Sequence, residues 1–209
     1  MKKSRARLER EFGPLAGKPN VGGVTFDGRQ VWAAVGDKLQ SLDPHTGEPG
    51  RAIGVPAHAG TAFDGTHLYQ IAESRIQKID AATGRVVATM PAPGNGGDSG
   101  LAWADGVLWV GVYRDRKIHQ IDARTGKLLR TIESDRFVTG VSWTQGELWH
   151  ATWEGDESEI RRVDPGTGEV LESIELPAGI TVSGLESDGD GRFFCGGGGT
   201  GKVRVLKRA

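Results

Sequence analysis

A single cysteine, Cys195, in 209 residues excludes an internal disulfide. Long apolar runs are missing as well. Nothing approaches the roughly 20 consecutive apolar residues of a membrane-spanning helix. Neither sign of charge is in excess, with 26 basic against 27 acidic residues and a net charge of −1. That balance excludes the broad basic surface by which proteins hold nucleic acid or an anionic membrane. The N-terminal MetLysLysSerArgAlaArg is basic, but no apolar segment follows it, so it does not read as a secretory leader. Cytoplasmic residence is the resulting expectation, with a secreted or periplasmic location as the alternative if a leader has been removed.

Glycine is what the chain has in quantity, 33 residues of it, and its placement is periodic. Gly23, Gly60, Gly100, Gly140 and Gly184 are separated by 37, 40, 40 and 44 residues. Each precedes an apolar pair and a turn. After the first four comes the same tag: LeuAspProHisThrGly (42–47), IleAspAlaAlaThrGly (79–84), IleAspAlaArgThrGly (121–126) and ValAspProGlyThrGly (163–168). A period near 40 with short alternating segments is the signature of a β-propeller blade, so one domain of five stacked blades is expected over residues 1–209.

The third copy shows how one blade is written. Short strands are expected at 100–106, ending in a turn, and at 107–113, 117–122 and 127–132, joined by tight polar turns, which makes four antiparallel strands. In the Asp-x-x-Thr-Gly turn the carboxylate can accept from N–H groups two and three residues on, and the glycine takes the left-handed conformation. Asp43, Asp80, Asp122 and Asp164 are therefore assigned to structure. The blades are expected at about 21–53, 58–90, 98–132, 138–176 and 182–207. The last has only three strands, and residues 6–13 are expected to supply its fourth and close the ring. Closure would remove two sheet edges that otherwise template aggregation, which favours a monomer.

Two columns emerge when the second strands are aligned. Trp32, Tyr69, Trp109, Trp149 and Phe194 are aromatic in every copy and read as packing between blades. Four residues on, Gly36, Glu73, Tyr113, Trp153 and Gly198 vary, which marks the strand ends where a site is expected. The adjoining turns add Arg114, Asp115, Arg116, Glu154 and Asp156. The loops entering the inner strands add His58, Asp98, Ser99, Arg136, Thr139, Thr181 and Ser183. Rings for contact area and charges for orientation suit a small polar or zwitterionic ligand. Tyr113, Arg114, Trp153, Glu154, Asp98 and Arg136 are the candidate ligand-binding residues, and Glu73 and His58 the candidate catalytic ones. No cofactor is expected. A divalent metal held by His58, Asp98 and Glu73 is the one metal arrangement this face offers. Gly196–Lys202 matches the start of a phosphate-binding P-loop, but Val203 stands where Ser or Thr is needed, and the segment joins two strands.

The whole pattern resembles the propeller family of plant and bacterial glutaminyl cyclotransferases, within the wider virginiamycin B lyase-like and quinoprotein-like propellers. GlyGluLeuTrpHisAlaThrTrp (146–153) is similar to that family's Gly-Glu-Val-Trp-Ala-Asn-x-Trp strand, and HisLeuTyrGlnIleAlaGlu (67–73) to its Leu-x-Gln-x-Thr-Trp strand. The resemblance implies five blades and a pocket tryptophan at Trp153, with Glu73 replacing another. It also implies formation of N-terminal pyroglutamate. The family's Phe-Thr-Gln-Gly-Leu falls on residues 20–24, where its Gln becomes Gly22. Its Asn-Glu-Leu-Glu falls on 139–142, where both carboxylates are missing. Cyclisation needs a proton shuttle between the amine and departing ammonia. The expectation is therefore a ligand-binding propeller that takes a small molecule or peptide. The alternatives are a divergent cyclotransferase or metal-assisted lyase with Glu73 or His58 as general base, or a protein–protein scaffold.

Overall fold

The tag turns are built as their sequence requires. In the computed structural model, which describes residues 1–15 and 20–209, Asp43 Oδ1 accepts from the N–H groups of His45 and Thr46, both at 2.8 Å. Asp164 Oδ1 accepts from Gly166 and Thr167 at 2.8 and 2.7 Å. Asp122 accepts likewise from Arg124 and Thr125 and Asp80 from Thr83, and the Thr83, Thr125 and Thr167 hydroxyls also donate to their tag carboxylates. The four glycines that end the tags have φ between 72° and 80°. The threonine donors hold all four carboxyls below their usual pKa. These groups therefore stay ionised and occupied.

The strands number twenty among the described residues. β1 (Lys2–Phe12) stands alone at the start. Four groups of four follow: β2 (Gly23–Phe26), β3 (Val31–Ala34), β4 (Leu39–Leu42) and β5 (Pro49–Ile53); then β6 (Thr61–Phe63), β7 (His67–Ala72), β8 (Arg75–Asp80) and β9 (Val86–Pro91). Next come β10 (Asp98–Ala104), β11 (Val107–Val112), β12 (Lys117–Asp122) and β13 (Leu128–Glu133), and then β14 (Phe137–Thr144), β15 (Glu147–Glu154), β16 (Glu157–Val163) and β17 (Val170–Glu175). The last three are β18 (Ser183–Ser187), β19 (Arg192–Gly196) and β20 (Val203–Arg208). The fold is all-β and propeller-like. β2–β5, β6–β9 and β10–β13 are separate four-stranded meanders, and the remaining strands form one eight-stranded sheet in the order β14-β15-β16-β17-β1-β20-β19-β18.

β1 is the join. Ala6–Phe12 run antiparallel to β20, as the sequence predicts. The strand begins earlier than expected, however, and Lys2–Arg5 run parallel to Glu172–Glu175 of β17. One strand thus covers the outer edges of two neighbouring sheet segments. Among the described residues β5, β9 and β13 have no such strand beside them, and Val86, Val87, Leu128 and Leu129 are exposed there. The expectation that edges are covered holds only around β1.

The five periodic glycines meet. A methyl group placed on Gly23 would stand 2.8 Å from the Cα of Gly60; on Gly60, 2.9 Å from that of Gly100; on Gly100, 2.9 Å from that of Gly140. On Gly140 it would stand 2.7 Å from the carbonyl carbon of Gly184, and on Gly184 2.6 Å from the Cα of Gly23. The circuit of close approaches closes on itself, so the inner strands β2, β6, β10, β14 and β18 surround a backbone-lined constriction. Only glycine permits that approach. The tags close the same circle further out. Gly84 packs on Ile53, Gly126 on Met90, Gly168 on Ile132, and Gly47 on Phe12 of β1. Each tag therefore sits on the outer strand of the copy before it, and β1 serves as that strand for the first copy.

Apolar clusters fill the seams between successive copies. The aromatic column Trp32, Tyr69, Trp109, Trp149 and Phe194 lies within them, each ring 2–4% exposed. Burial of one such ring contributes roughly 1.5–3 kcal/mol. Cys195 is fully buried and its thiol is pushed up to about 12 by burial, so it is a packing residue and not a nucleophile.

Candidate functional site

Antiparallel pairing brings the end of each second strand beside the start of each inner strand. Asp98 faces Val112, Phe137 faces Trp153, and Ser183 faces Gly196. The variable strand ends and the entering loops therefore share one face, above the glycine constriction. The inner strands carry a register shift at this point in the third, fourth and fifth copies. The shift turns hydroxyls toward the next copy: Ser99 Oγ donates to the Val138 carbonyl and Ser183 Oγ to the Val21 carbonyl, both at 2.6 Å. The rim of the axis is thus pinned from copy to copy.

Direct contacts sort the candidate residues into groups. Tyr113 and Trp153 belong to one stack, with Phe137 between them. The Tyr113 and Phe137 ring centroids are 4.8 Å apart and those of Phe137 and Trp153 are 6.4 Å apart, with interplanar angles of 24° and 29°. The Arg116 guanidinium lies 4.5 Å from the Phe137 centroid. It is locked there by Glu154 Oε2 at 3.0 Å and by donation to the Asp135 carbonyl. Burial raises the Tyr113 hydroxyl pKa, with Arg114 opposing the shift and Glu154 adding to it. Arg114 itself is exposed on the turn.

His58 and Glu73 form a second group. The Glu73 N–H donates to His58 Nδ1 at 3.2 Å. A backbone N–H can only donate, so a neutral His58 carries its own proton on Nε2. The ring is thereby set to donate, while the Glu73 carboxylate, exposed on a turn residue with φ 56°, is set to accept. Of the two candidate bases, Glu73 alone can take a proton without breaking this bond.

Asp98 and Arg136 are occupied elsewhere. Asp98 is buried, and its two oxygens accept from the N–H groups of Gly94 and Gly96 at 2.8 and 3.3 Å. Burial raises its pKa against those bonds. It shapes the glycine-rich loop beside Tyr113, whose N–H donates to the Gly97 carbonyl. Arg136 pairs with Glu159 at 2.9 Å and faces Glu157 at 3.9 Å. Among the described residues no group of three or more His, Cys, Asp or Glu is placed to hold a metal ion, so His58, Asp98 and Glu73 do not form the metal arrangement considered above. The P-loop-like segment joins β19 to β20 through a short 3₁₀ turn, and Lys202 and Arg204 are held by Glu11 of β1.

Two groups escaped the sequence reading. Phe137 is an aromatic at the start of an inner strand, where the other copies place Asn20, Ala57, Gly97 and Thr181. That contrast was the available signal. Glu186 is the other. Two residues after the ring glycine, the copies read Thr25, Ala62, Ala102, Ser142 and Glu186, a lone acid in a column of small side chains. Thr25 and Ser142 donate to its two oxygens at 2.7 Å each, and the Ser187 N–H adds a bond at 3.0 Å. Burial pushes its pKa up to about 7 against these donors. The Ser142 bond ties Glu186 to the neighbouring inner strand β14. Glu186 lies on the far side of the glycine constriction from Tyr113 and Trp153.

No family model matches the chain, and no curated protein matches it in sequence. Solved structures do. The glutaminyl cyclase of Myxococcus xanthus superposes with a TM-score of 0.79 at 18% identity, covering 99% of this chain and 97% of that one. Hydrazine synthase of Kuenenia stuttgartiensis gives 0.55 at 17% identity over 86% of this chain and 56% of that one. A chain of a mitotic checkpoint complex gives 0.56 at 16% over 90% and 61%. At such identities the likeness establishes the fold and leaves the activity to the site. The chain has a propeller-like, all-β scaffold similar to that of a glutaminyl cyclase.

Proposed function

We propose that the chain is a five-bladed propeller whose eight-stranded sheet is two blades joined through β1, with the blade boundaries read from the sequence, and that the face bearing Tyr113, Phe137 and Trp153 binds a small molecule or peptide. The closed circuit of five ring glycines supports the blade count. The observation that carries the binding reading is the ring stack clamped by Arg116 and Glu154. Aromatic surface that is half-exposed yet rigidly held is pre-organised for contact, because its ordering cost is met before the ligand arrives. Tyr113 and Trp153 offer the outer faces, Arg114 a cation with no ion pair among the described residues for a carboxylate, and Glu73 an acceptor for an amine. Asp98 and Arg136 act through the loops they hold.

A thermal-shift screen over aminoacyl dipeptides and small zwitterions tests this reading. A ligand at 100 times its dissociation constant adds about 2.7 kcal/mol of stability. Trp153→Ala should remove the shift of the best ligand. An unchanged shift places the site elsewhere.

The pairing of Glu73 with His58 favours a second reading, a divergent cyclotransferase with Glu73 as the proton acceptor. Ammonia release from a glutaminyl dipeptide is its direct assay. Release that survives Glu73→Gln assigns the proton transfer to another group, and no release above background removes the cyclase reading while leaving the binding one.

A further inference from the structure

Two rings of the aromatic column are tied down from the turn that precedes them. Trp32 Nε1 donates to Asp27 Oδ2 at 2.7 Å, and the Tyr69 hydroxyl to Asp64 Oδ2 at 3.2 Å. In both turns the other oxygen accepts two backbone N–H groups: Arg29 and Gln30 on Asp27, Thr66 and His67 on Asp64. The fifth copy repeats the device. Asp188 Oδ1 accepts from the N–H groups of Asp190 and Arg192. The column residue here is Phe194, however, which has no donor to give. Asp188 Oδ2 is left with Arg192 Nη1 at 3.5 Å, and its side chain is only 12% exposed.

A cavity of about 170 Å³ opens at this place, in the seam between the fifth and first copies. Phe26 and Phe194 line it, their centroids 5.3 Å apart. Asp188, Arg192, His45 and Arg10 surround them. Arg192 is taken by Glu9 at 2.9 Å. Arg10 makes no ion pair among the described residues, and its two contacts, the Pro44 carbonyl and His45 Nδ1, are both long at 3.4 Å. The seam between the first and second copies is the control. There Trp32 packs in one cluster with Phe63, the counterpart of Phe26. A donor-bearing ring therefore fits this geometry where the sequence provides one. An apolar cavity of about 150 Å³ is enough to hold benzene.

We propose that the seam cavity binds a small planar aromatic carboxylate that also carries a hydroxyl or ring N–H. Its ring lies against Phe26 and Phe194, its donor supplies Asp188 Oδ2 with the bond that Trp32 and Tyr69 give in their copies, and its carboxylate meets Arg10. The site lies at the opposite end of the strands from Tyr113 and Trp153, so it stands or falls independently of the function proposed above.

Calorimetric titration of the full chain with 4-hydroxybenzoate and indole-3-carboxylate tests it, with benzoate lacking the donor and cyclohexanecarboxylate lacking the plane. Saturable one-to-one binding of the first two is expected. Benzoate should bind about tenfold more weakly, the worth of one hydrogen bond to a charged group. Phe194→Trp should abolish binding and raise the melting temperature, because the protein's own indole then fills the cavity. Arg10→Ala should weaken binding about tenfold, and Trp153→Ala should leave it unchanged. The proposal is overturned if neither donor-bearing probe binds, or if Phe194→Trp folds and binds them as before. Should Phe194→Trp fail to fold, unchanged affinity in both Arg10→Ala and Asp188→Asn overturns it equally.

Discussion

The eight-stranded sheet and the three four-stranded sheets are built from the same repeat, yet they place their charges differently. In β2–β13 the one buried acidic or basic side chain among the described residues is Asp98, and it serves its own loop. The eight-stranded sheet buries Glu172, Arg161, Arg204 and His150. Glu172, fully buried, accepts from Ser4 Oγ at 2.8 Å and from Arg208 at 2.7 Å, with Arg162 at 3.7 Å and Lys2 at 3.9 Å. Arg162 and Arg208 both lie over the Trp149 ring, 5.9 and 5.7 Å from its centroid. Sheets made of consecutive chain find one another through local turns and apolar faces. A sheet that must collect residue 2 and residue 208 needs a directional signal, and paired charges give one.

Removing the join is the strongest way to break this contrast. Deletion of residues 1–13 takes β1 away from both β17 and β20 and uncovers two edges. The truncated chain is expected to aggregate during purification. A soluble, monodisperse truncation with an unchanged melting temperature would refute the role given to β1.

Glu172→Ala keeps every strand and removes only the charge that gathers them. It leaves Arg162 and Arg208 without their buried partner, and loss of one member of such a cluster costs about 3–5 kcal/mol. Urea denaturation measures it. A loss below about 1 kcal/mol, within the range of exposed ion pairs, would show that β1 is held by its backbone bonds alone.

Gly100→Ala probes what both parts share. A Cβ there would lie 2.5 Å from the Val141 backbone nitrogen, so two inner strands must separate. Overpacking of this kind costs about 3 kcal/mol. Gly106→Ala is the comparison: its added carbon meets nothing, and its cost is only that of φ 90°. Equal losses for the two would mean that the axis is looser than the circle of glycines implies.

The repeat made the scaffold readable. Spacing marked the repeat, the tags gave the turns, and an incomplete last copy gave the partner of β20. Each of these is local or periodic, and local signals survive in sequence. The parallel pairing of Lys2–Arg5 with β17 was not readable, because no alternation or turn encodes a parallel edge contact between distant segments. The site was legible as a set of positions and not as a set of contacts. Tyr113, Trp153 and Glu154 were named as candidates, yet Phe137, which stacks between the two rings, was not. Asp98 and Arg136 were named as candidates, but which way a carboxylate or a guanidinium turns depends on neighbours such as Gly94 and Glu159. Glu186 was passed over because its significance is a contrast within a column, small residues against one acid, and that column becomes visible only once the glycine ring fixes the register.

Glu186 gives the finest test of the contrast, since it too lies in the eight-stranded sheet but has hydroxyls for partners and no cation. Its pKa rises from 4.5 to about 7 on folding. The unfolded chain loses this proton near 4.5 while the native protein keeps it to about 7, so between those values the native state holds more protons. Stability from this group is complete below pH 4.5 and declines as pH rises through 7. Gln imitates the protonated form and does not titrate, and the Thr25 and Ser142 hydroxyls can rotate to accept from its amide. Glu186→Gln should therefore match the wild type near pH 4.5 and exceed it by about 2–3 kcal/mol at pH 8. The measurement is urea unfolding of both proteins at the two pH values. A difference that stays constant with pH would mean that Thr25, Ser142 and the backbone donors solvate the carboxylate as well as water does, and that no charge is strained at the axis.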